Sequence, residues 1–462
     1  MPTRRTLLAS ALSTTLLAAC ASAPSTPSMQ QRPPIVFVHG NGDSAALWQT
    51  TVWRFESNGW PRDRLFAFDQ PVPLARENDA VAQPGRSSTA DSMAFLKAEV
   101  ERVRQTTGAD KVILIGNSRG GNTIRNYIQN GGGDQVVSHA VLGGNPAHGI
   151  WAIPGYNEGS EFSALSPFLR QLNAPKGPNG DEATPGVQWL TLRSDRNDKY
   201  AQPDGTWIGM PGKPTNVGYD GPALKGATNL VLAGADHRET SFSPAAFDAT
   251  WRFLTGSAPR TLQAEPEAVI ALSGRVTGLG LDPLKPASGN FANNLPIAGA
   301  RVTVFAVDGD TGARRGNAAW DSAVGSDGSW GPFVAEARTA YELVVSAPGY
   351  ATTHVYRSPF PRSSTLINLR PERIAPADQD AKSLVIFTRP RGYFDAQRDK
   401  MRFDGLSTLP GVPARGAGVA SSKLKLTNEA QRSVTAEFNG ERTAGLSWPL
   451  AQGHVSVLEL TF

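Results

Sequence analysis

The sequence has 462 residues and a single cysteine, Cys20, so the chain cannot form an internal disulfide. It also lacks an excess of charge of one sign, because 45 Lys and Arg residues against 41 Asp and Glu residues leave a formal net charge of +4. Lys and Arg form no cluster, which argues against a nucleic-acid-binding surface. The apolar run near the start, Leu7–Ala19, is too short for a permanent membrane span. What remains is a chain long enough for about three domains, with 47 Gly and 35 Pro residues that predict many turns.

The first twenty residues predict an export signal rather than an element of the fold. Two arginines precede the apolar run, which ends in Leu17-Ala18-Ala19-Cys20. This ending resembles a bacterial lipobox, and residues 3–8 resemble a twin-arginine signal. The resemblance implies cleavage before Cys20 and lipid attachment to its sulfur. The expected location is the outer membrane or cell surface of a Gram-negative host, as a membrane-anchored lipoprotein, or otherwise secretion. Residues 21–32, rich in Ser, Pro and Gln, then form a tether.

The stretch from Lys111 to Asn126 predicts a buried strand, a tight turn and a helix. Four apolar residues, 112–115, precede Gly116-Asn117-Ser118-Arg119-Gly120, a G-x-S-x-G pattern, and a helix-compatible segment follows. A turn that projects one hydroxyl forward strains the backbone at Ser118. Side chains at positions 116 and 120 would crowd that turn, so both are glycine. The helix behind the turn aims its free N–H groups at the same place. The pattern therefore predicts that Ser118 is a nucleophile.

Strand and helix patterns alternate between residues 33 and 256, which predicts an α/β domain with a doubly wound, mostly parallel sheet. Its first strand, Pro34–His39, ends in Gly40-Asn41-Gly42. A strand that runs into His-Gly near the start resembles the oxyanion loop of α/β-hydrolases, bacterial lipases above all. The resemblance implies that the backbone N–H groups of Asn41 and Arg119 stabilise an oxyanion. His39 is expected to brace the loop.

The resemblance also implies that the catalytic residues follow one another along the chain as serine, acid and histidine. His237 fits this order, because it lies in a loop, residues 233–239, after the apolar run 230–232. The other five histidines precede the serine, precede any suitable acid loop, or lie in later β-rich segments: His39, His139, His148, His354 and His454. We therefore expect His237 to act as the general base.

Three aspartates are candidates for the acid that holds this base. Residues 187–192 predict a strand, and the loop after it contains Asp195 and Asp198 before Pro203. Bacterial lipases often place the acid a short run before a proline, and this resemblance favours Asp198. Counting from the end of the strand favours Asp195 instead. Asp236 is the third and least favoured candidate, because the side chains of adjacent residues point apart.

Residues 145–186, rich in Gly, Pro and Asn, interrupt the alternation of strands and helices. Their large apolar residues are Ile150, Trp151, Ile153, Tyr156, Phe162, Leu165, Phe168, Leu169 and Leu172. We expect a helix near residues 160–172 and a cap or lid over the strand ends that lines an apolar acyl-chain pocket. About half of these residues are expected to pack on the sheet instead. A final helix is predicted over residues 242–254.

After a linker at residues 257–266 the hydrophobic period changes to that of strands. Five ordered segments stand out: GRV at 274–276, PIAGARVTV at 296–304, SDGSW at 326–330, YELVV at 341–345 and APGY at 347–350. Together they resemble a transthyretin-type β-sandwich of the carboxypeptidase regulatory-like kind, over residues 267–371. Residues 378–462 predict further short strands, which form a third domain or complete the second.

Together these features resemble bacterial and archaeal lipases in which an α/β-hydrolase domain precedes a β-sandwich. The resemblance implies hydrolysis of apolar, acylglycerol-type esters through an acyl-enzyme on Ser118, with no cofactor. It implies no nucleic-acid partner and no known protein partner. Whether a structural Ca²⁺ is bound, as in some lipases, stays open. Two alternatives remain: an esterase for short-chain or polymeric substrates, and a surface-anchored binding protein that kept the fold without the activity.

Overall fold

The computed structural model describes residues 32–283, 290–428 and 431–462. The predicted signal peptide, Cys20 and the predicted tether up to residue 31 therefore lie outside the described residues. In the ranges that are described, no helix has both the length and the apolar character needed to cross a bilayer.

Six parallel strands form the central sheet of the first half of the chain, which we call the α/β half. They are β1 (Ile35–Val38), β2 (Leu65–Ala67), β3 (Val112–Asn117), β4 (Val137–Gly143), β5 (Gln188–Ser194) and β6 (Thr228–Leu232). Their spatial order is β2-β1-β3-β4-β5-β6, and every neighbouring pair is parallel. The helices are α1 (Gln49–Ser57), α2 (Thr89–Thr107), α3 (Arg119–Asn130), α4 (Pro167–Leu172), α5 (Glu239–Phe242) and α6 (Pro244–Thr255).

Helices cover both faces of this sheet with separate apolar cores. On one face, α2 and α3 bury Leu96 and Ile124 in the same cluster as Leu114 of β3. On the other face, α1 and α6 bury Phe55 and Trp251. Every residue of β3 is buried, as a strand covered on both faces requires. This arrangement confirms the predicted doubly wound α/β fold.

The predicted helix near residues 160–172 is shorter than expected, because only α4 is helical. Ser166 Oγ caps this helix by accepting a hydrogen bond from Leu169 N, and Pro167 occupies the first helical position. Upstream, Ser163 forms an isolated bridge with Trp151, so residues 160–166 form turns. The cap is therefore built mainly of loop backbone.

The remaining strands form a β-rich half. They are β7 (Ile270–Leu281), β8 (Asn290–Pro296), β9 (Arg301–Val307), β10 (Trp320–Ala323), β11 (Ser329–Ala335), β12 (Ala340–Ser346), β13 (Thr352–Arg357), β14 (Ser364–Leu369), β15 (Ser383–Thr388), β16 (Met401–Phe403), β17 (Ser421–Leu426), β18 (Ser433–Phe438), β19 (Glu441–Leu446) and β20 (His454–Glu459). One sheet has the order β10-β9-β12-β13-β20-β15-β17, and another has the order β11-β7-β14, with β8 paired to β7. The two sheets share one apolar core, so they form the predicted sandwich.

Strands from residues 378–462 complete this sandwich instead of standing apart from it. The last strand, β20, lies between β13 and β15 and is parallel to both. The sequence left open whether residues 378–462 form a third domain or complete the second one. The strand order favours the alternative in which they complete the second domain. A small sheet with the order β16-β18-β19 packs beside it around Phe387, Phe403 and Val434.

The two halves pack directly on each other. The indole of Trp53, on α1, is buried in the core of the sandwich, and its Nε1 donates a hydrogen bond to Ser363 O at 2.8 Å. Such a shared core orients the β-rich half against the α/β half.

Candidate active site

Ser118 lies on a strained turn between β3 and α3, with φ of 52° and ψ of −126°. A non-glycine residue with positive φ costs about 1–3 kcal/mol, so the surrounding packing must hold it in place. A Cβ on Gly120 would come within 2.5 Å of Val38 O, and one on Gly116 would come within 2.7 Å of Ile124 Cδ1. Both glycines are therefore needed for the turn to approach β1 and α3 this closely.

Asp198 and His237 form a buried pair beside this turn. His237 Nδ1 lies 2.8 Å from Asp198 Oδ1 and 2.9 Å from Oδ2, and the two residues are 3% and 2% exposed. Asp198 Oδ1 also accepts a hydrogen bond from Tyr200 N at 2.8 Å. The other ring nitrogen, His237 Nε2, is buried without a hydrogen-bond partner among the described residues. The ring is thus fixed at Nδ1, while Nε2 remains available to a reacting group.

The two alternative acids have different partners. Asp195 Oδ1 accepts hydrogen bonds from Arg196 N and Gly234 N and so joins the loops that follow β5 and β6. The Asp236 carboxylate is engaged by backbone N–H groups and by Arg389. Of the three aspartates, the structure brings Asp198 into contact with His237 Nδ1.

The loop after β1 lies against the serine turn. A Cβ on Gly40 would come within 3.0 Å of Ser118 Cβ, and Asn41 Oδ1 accepts a hydrogen bond from Ala75 N at 2.8 Å. Among the described residues, the backbone N–H groups of Asn41 and Arg119 donate no hydrogen bond. His39 Nδ1 lies 2.9 Å from Gly40 O, and its Nε2 accepts from a backbone N–H, so this histidine braces the loop as predicted.

The Arg119 side chain is held away from the turn by a partner that the sequence analysis missed. It forms an ion pair with Glu161 at 2.7 Å, and the two side chains are only 2% and 3% exposed. Arg119 also donates hydrogen bonds to Pro73 O and Ser87 O. Burial raises the pKa of Glu161, and the nearby guanidinium opposes this shift. The pair attaches the cap segment to the helix that starts behind Ser118.

A cavity of about 290 Å³ opens onto these groups. Its lining includes Gly40, Asn41, Asn117, Ser118 and His237, with Asp43 and Arg238 at one side. The apolar wall is formed by Ile150, Trp151, Tyr156, Phe162, Tyr200, Trp207, Ile208 and Tyr393. Four of the predicted cap residues thus line the cavity, whereas Leu169 and Leu172 are fully buried elsewhere.

Trp207, Ile208 and Tyr393 are among the lining residues that the sequence analysis missed. Trp207 and Ile208 lie in a Gly- and Pro-rich loop, where a paired apolar signal was present. Tyr393 belongs to the β-rich half, and no local pattern marks it. Gly418, which also belongs to the β-rich half, lies against Trp207. A Cβ on Gly418 would come within 1.7 Å of the indole ring of Trp207.

The loop that carries His237 is held by the β-rich half. Asp236 is fully buried, and its Oδ2 accepts hydrogen bonds from Arg389 Nη1 at 2.9 Å and Tyr393 N at 2.8 Å. Its Oδ1 accepts from the backbone N–H groups of Arg238 and Glu239, each at 2.8 Å. Burial raises the pKa of Asp236 to about 6, although Arg389 opposes the shift.

Further contacts strengthen this attachment. Arg389 and Arg398 both form ion pairs with Glu239, and Arg238 Nη1 donates to Pro390 O at 3.0 Å. The acid loop is attached as well, because Lys199 Nζ donates to Gly418 O at 2.9 Å. Burial lowers the pKa of Lys199 to about 8. Across the residues that the structure describes, no group of three or more His, Cys, Asp or Glu side chains is arranged to hold a metal ion.

Comparisons with known proteins match the two halves separately. Residues 32–177 match the family described as Lipase (class 2), and residues 268–374 match the Lipase C-terminal domain. The first match includes Asn41, Ser118 and Arg119 and ends before Asp198 and His237.

Solved structures of lipases are similar to the chain at low identity. The propeptide form of Bacillus licheniformis lipase BlEst2 is 15% identical over 92% of this chain and 94% of that protein, with a TM-score of 0.35. Aspergillus fumigatus lipase B is 15% identical over 52% of this chain and 56% of that protein, with a TM-score of 0.36. Paleococcus ferrophilus monoacylglycerol lipase is 15% identical over 48% of this chain and 96% of that protein, with a TM-score of 0.32. None of these similarities assigns a role to a residue.

The two family matches, taken with the observed fold, lead to one conclusion. The chain has an α/β-hydrolase fold followed by a β-sandwich, part of each half matches a lipase family model, and the protein is a carboxylic ester hydrolase.

Proposed function

We propose that this protein is a lipase that hydrolyses apolar, acylglycerol-type esters through an acyl-enzyme on Ser118. The observation that carries the proposal is the buried Asp198–His237 pair in the cavity that Ser118 lines. A serine hydroxyl is a weak nucleophile, and a base held by an acid within the same site activates it.

In this mechanism Ser118 Oγ attacks the ester carbonyl carbon, and His237 Nε2 accepts the hydroxyl proton. The N–H groups of Asn41 and Arg119 donate hydrogen bonds to the resulting oxyanion, each contributing about 3 kcal/mol. His237 then gives its proton to the leaving alcohol, and the acyl group stays on Ser118. Water attacks the acyl-enzyme with His237 again as base, which releases the carboxylic acid. Asp198 holds the ring through Nδ1 and stabilises its protonated form.

The apolar wall of the cavity supports an acyl chain as the group bound there. Trp151, Phe162, Trp207 and Ile208 provide a surface that favours hydrocarbon over polar substituents. The volume favours a second candidate, an esterase for shorter chains. At about 290 Å³ the cavity is slightly smaller than the range of roughly 300–1,000 Å³ that is usual for ligand sites.

Hydrolysis of p-nitrophenyl esters from acetate to palmitate separates these candidates. The mature protein without residues 1–20 is compared with Ser118→Ala. Serine-dependent activity that is strongest on long chains supports the lipase, and activity confined to short chains supports the esterase. Absence of activity on every ester, together with no labelling by a fluorophosphonate, would contradict both and leave the binding-protein alternative.

We also propose that the protein is exported and anchored through a lipid on Cys20, a proposal supported by the sequence resemblance alone. Radiolabelled palmitate incorporated by cells that express the full chain, and lost in Cys20→Ala, is the expected result. A Cys20→Ala protein that is labelled and fractionates with membranes like the natural chain would contradict it.

A further inference from the structure

A second cavity, of about 360 Å³, lies between the two halves of the molecule. Residues 42–49 and Arg238 line it from the α/β half, and strands β13, β14, β17 and β20 line it from the β-rich half. Arg238 and Asp43 contribute to the walls of both this cavity and the catalytic one, and they form an ion pair at 3.0 Å. This ion pair therefore lines both the interdomain cavity and the catalytic cavity.

Positive charge exceeds negative charge in its lining. The cationic side chains are Arg238, Arg357, Arg370, Arg391 and Lys423, and the carboxylates are Asp43, Glu372 and Glu459. Arg238 pairs with Asp43, Arg357 pairs with Glu459, and Lys423 pairs with Asp378, which lies outside the lining.

Arg370 and Arg391 have no such partner. In the part of the chain that the structure describes, no carboxylate lies within ion-pair distance of either guanidinium. Their polar contacts are neutral: Arg370 donates to Asn294 Oδ1 at 2.6 Å, and Arg391 donates to Leu460 O. Arg391 is buried, and a buried guanidinium without a directly paired carboxylate is costly.

Several polar atoms of this lining are also buried without a hydrogen-bond partner among the described residues. They are Arg357 Nη2, Arg370 Nε, Arg391 Nε, and both amide atoms of Gln49. Gln49, Arg357 and Arg391 are only 1%, 2% and 2% exposed. Burial lowers the pKa of Arg391 to about 9, the neighbouring charge of Arg357 adds to the shift, and the carboxylates of Glu459 and Glu441 oppose it. Most native buried donors find an acceptor, so the unused N–H groups of three arginines and of the Gln49 amide nitrogen around one cavity favour an acceptor bound there.

We infer that the interdomain cavity binds a small oxyanion of the phosphate class. Guanidinium groups present paired N–H donors that match the oxygens of such an anion, and the Gln49 amide adds a donor from the α/β half. The anion would offset the excess charge of Arg370 and Arg391 and would contact both halves at once. Anion binding at this site does not require ester hydrolysis, so the inference and the proposed function can be tested separately.

The thermal unfolding of the mature protein tests this inference. Sodium phosphate is titrated at constant ionic strength against sodium chloride. We expect a rise in Tm that grows with the logarithm of the phosphate concentration above the dissociation constant, because the ligand binds only the folded state. Chloride alone should leave Tm unchanged.

Two substitutions locate the site. Arg391→Gln removes one buried charge and should abolish the phosphate response. Gln49→Glu adds a carboxylate to the cavity, so it should also abolish the response while leaving Tm in phosphate-free buffer equal to or above that of the natural protein. The matched control is Arg402→Gln on an exposed position of β16, which should keep the full response. If Arg391→Gln does not fold, Gln49→Glu decides alone.

Further titrations distinguish a lipid headgroup from a free anion as the source of the phosphoryl group. Glycerol 3-phosphate and a short-chain phosphatidic acid below its micelle concentration replace inorganic phosphate. A larger rise with the phosphatidic acid, lost in Gln49→Glu, supports a lipid headgroup as the ligand, and equal responses support the free anion. The inference is overturned if phosphate has no more effect than chloride, or if both Arg391→Gln and Gln49→Glu respond as the natural protein does.

Discussion

Ser118 and His237 reach the same cavity by different physical means. The turn at Ser118 is built by neighbours in the chain and by β1, through two glycines that allow the close approach. The loop at His237 is held by residues of the β-rich half, through the buried contact of Asp236 with Arg389 and Tyr393 N. The proposed nucleophile therefore depends on local geometry, whereas the proposed base depends on the docking of a second domain.

If His237 is the base, as we propose, this difference gives the C-terminal half a part in positioning that base. A catalytic base must stay within hydrogen-bond reach of its partner, and a displacement of about 1 Å can cost 10²-fold in rate. The contacts of Arg389, Arg398 and Pro390 with the loop after β6 supply that restraint from outside the α/β half. We expect perturbations of the β-rich half to alter the base and to spare the nucleophile.

The largest effect is expected from the acid that holds the base. Asp198→Asn should lower kcat by about 10⁴-fold, because an amide no longer favours the required tautomer of His237 or stabilises its charged form. Asp195→Asn, an isosteric change at the residue directly after β5, should stay within about 10-fold because Asp195 only joins two loops. Steady-state ester hydrolysis by the two variants checks this. Equal losses in both, or a greater loss in Asp195→Asn, would contradict the assignment.

A smaller but substantial loss is expected from breaking the attachment of the base loop. Arg389→Met keeps an unbranched apolar stem but leaves Asp236 without its cation, so kcat should fall between about 10- and 100-fold with little change in KM. Labelling of Ser118 by a fluorophosphonate should slow in proportion. Arg389→Lys should restore part of the rate, and Arg402→Gln should have no effect. A variant with lower Tm but unchanged kcat at a temperature where it is folded would show that Arg389 is only structural.

A substitution at Gly418 tests the contact between the two halves at the cavity wall. In Gly418→Ala the new Cβ would overlap the ring of Trp207, so the indole must move toward the cavity. We expect KM for long-chain esters to rise by about 10-fold or less, with a smaller change for acetate. Gly177→Ala, at a glycine with open space around it, is the control. An unchanged preference for chain length would show that Trp207 does not limit the acyl site.

The smallest effect concerns pH and stability. Because burial raises the pKa of Asp236 from 3.8 in the unfolded chain to about 6 in the folded one, the folded protein binds a proton more tightly in this range. The stability due to this group is therefore complete below about pH 4 and is lost as pH rises through 6. Asp236→Asn does not titrate, so the Tm of the natural protein relative to this variant should fall between pH 4 and pH 7. A difference that rises over this range would contradict the raised pKa.

The parts of the site that follow from local sequence were the predictable ones. The G-x-S-x-G turn needs only its own residues and the strand before it, and the Asp198 loop has a recognisable spacing to Pro203. The fold class followed from alternating patterns, since buried parallel strands and amphipathic helices leave strong periodic signals. Even the short α4 had a visible signal, because a serine followed by a proline marks a helix start at Pro167.

The contacts that hold the base left no such signal. Arg389, Arg398 and Tyr393 lie more than a hundred residues from the loop after β6, and charged or aromatic residues in β-rich loops are common. Only the packing of the two halves brings them to Asp236 and Glu239. The sequence also left no signal for the ion pair of Glu161 with Arg119, because Arg119 was predicted to act through its backbone alone.

The most direct test of the central claim is covalent labelling of the mature protein by a fluorophosphonate, followed by mass spectrometry of its peptides. We expect one adduct, on Ser118, that is absent in Ser118→Ala and forms far more slowly in His237→Ala and Asp198→Asn. An adduct on another residue, or ester hydrolysis that persists in Ser118→Ala, would contradict the proposed catalytic serine.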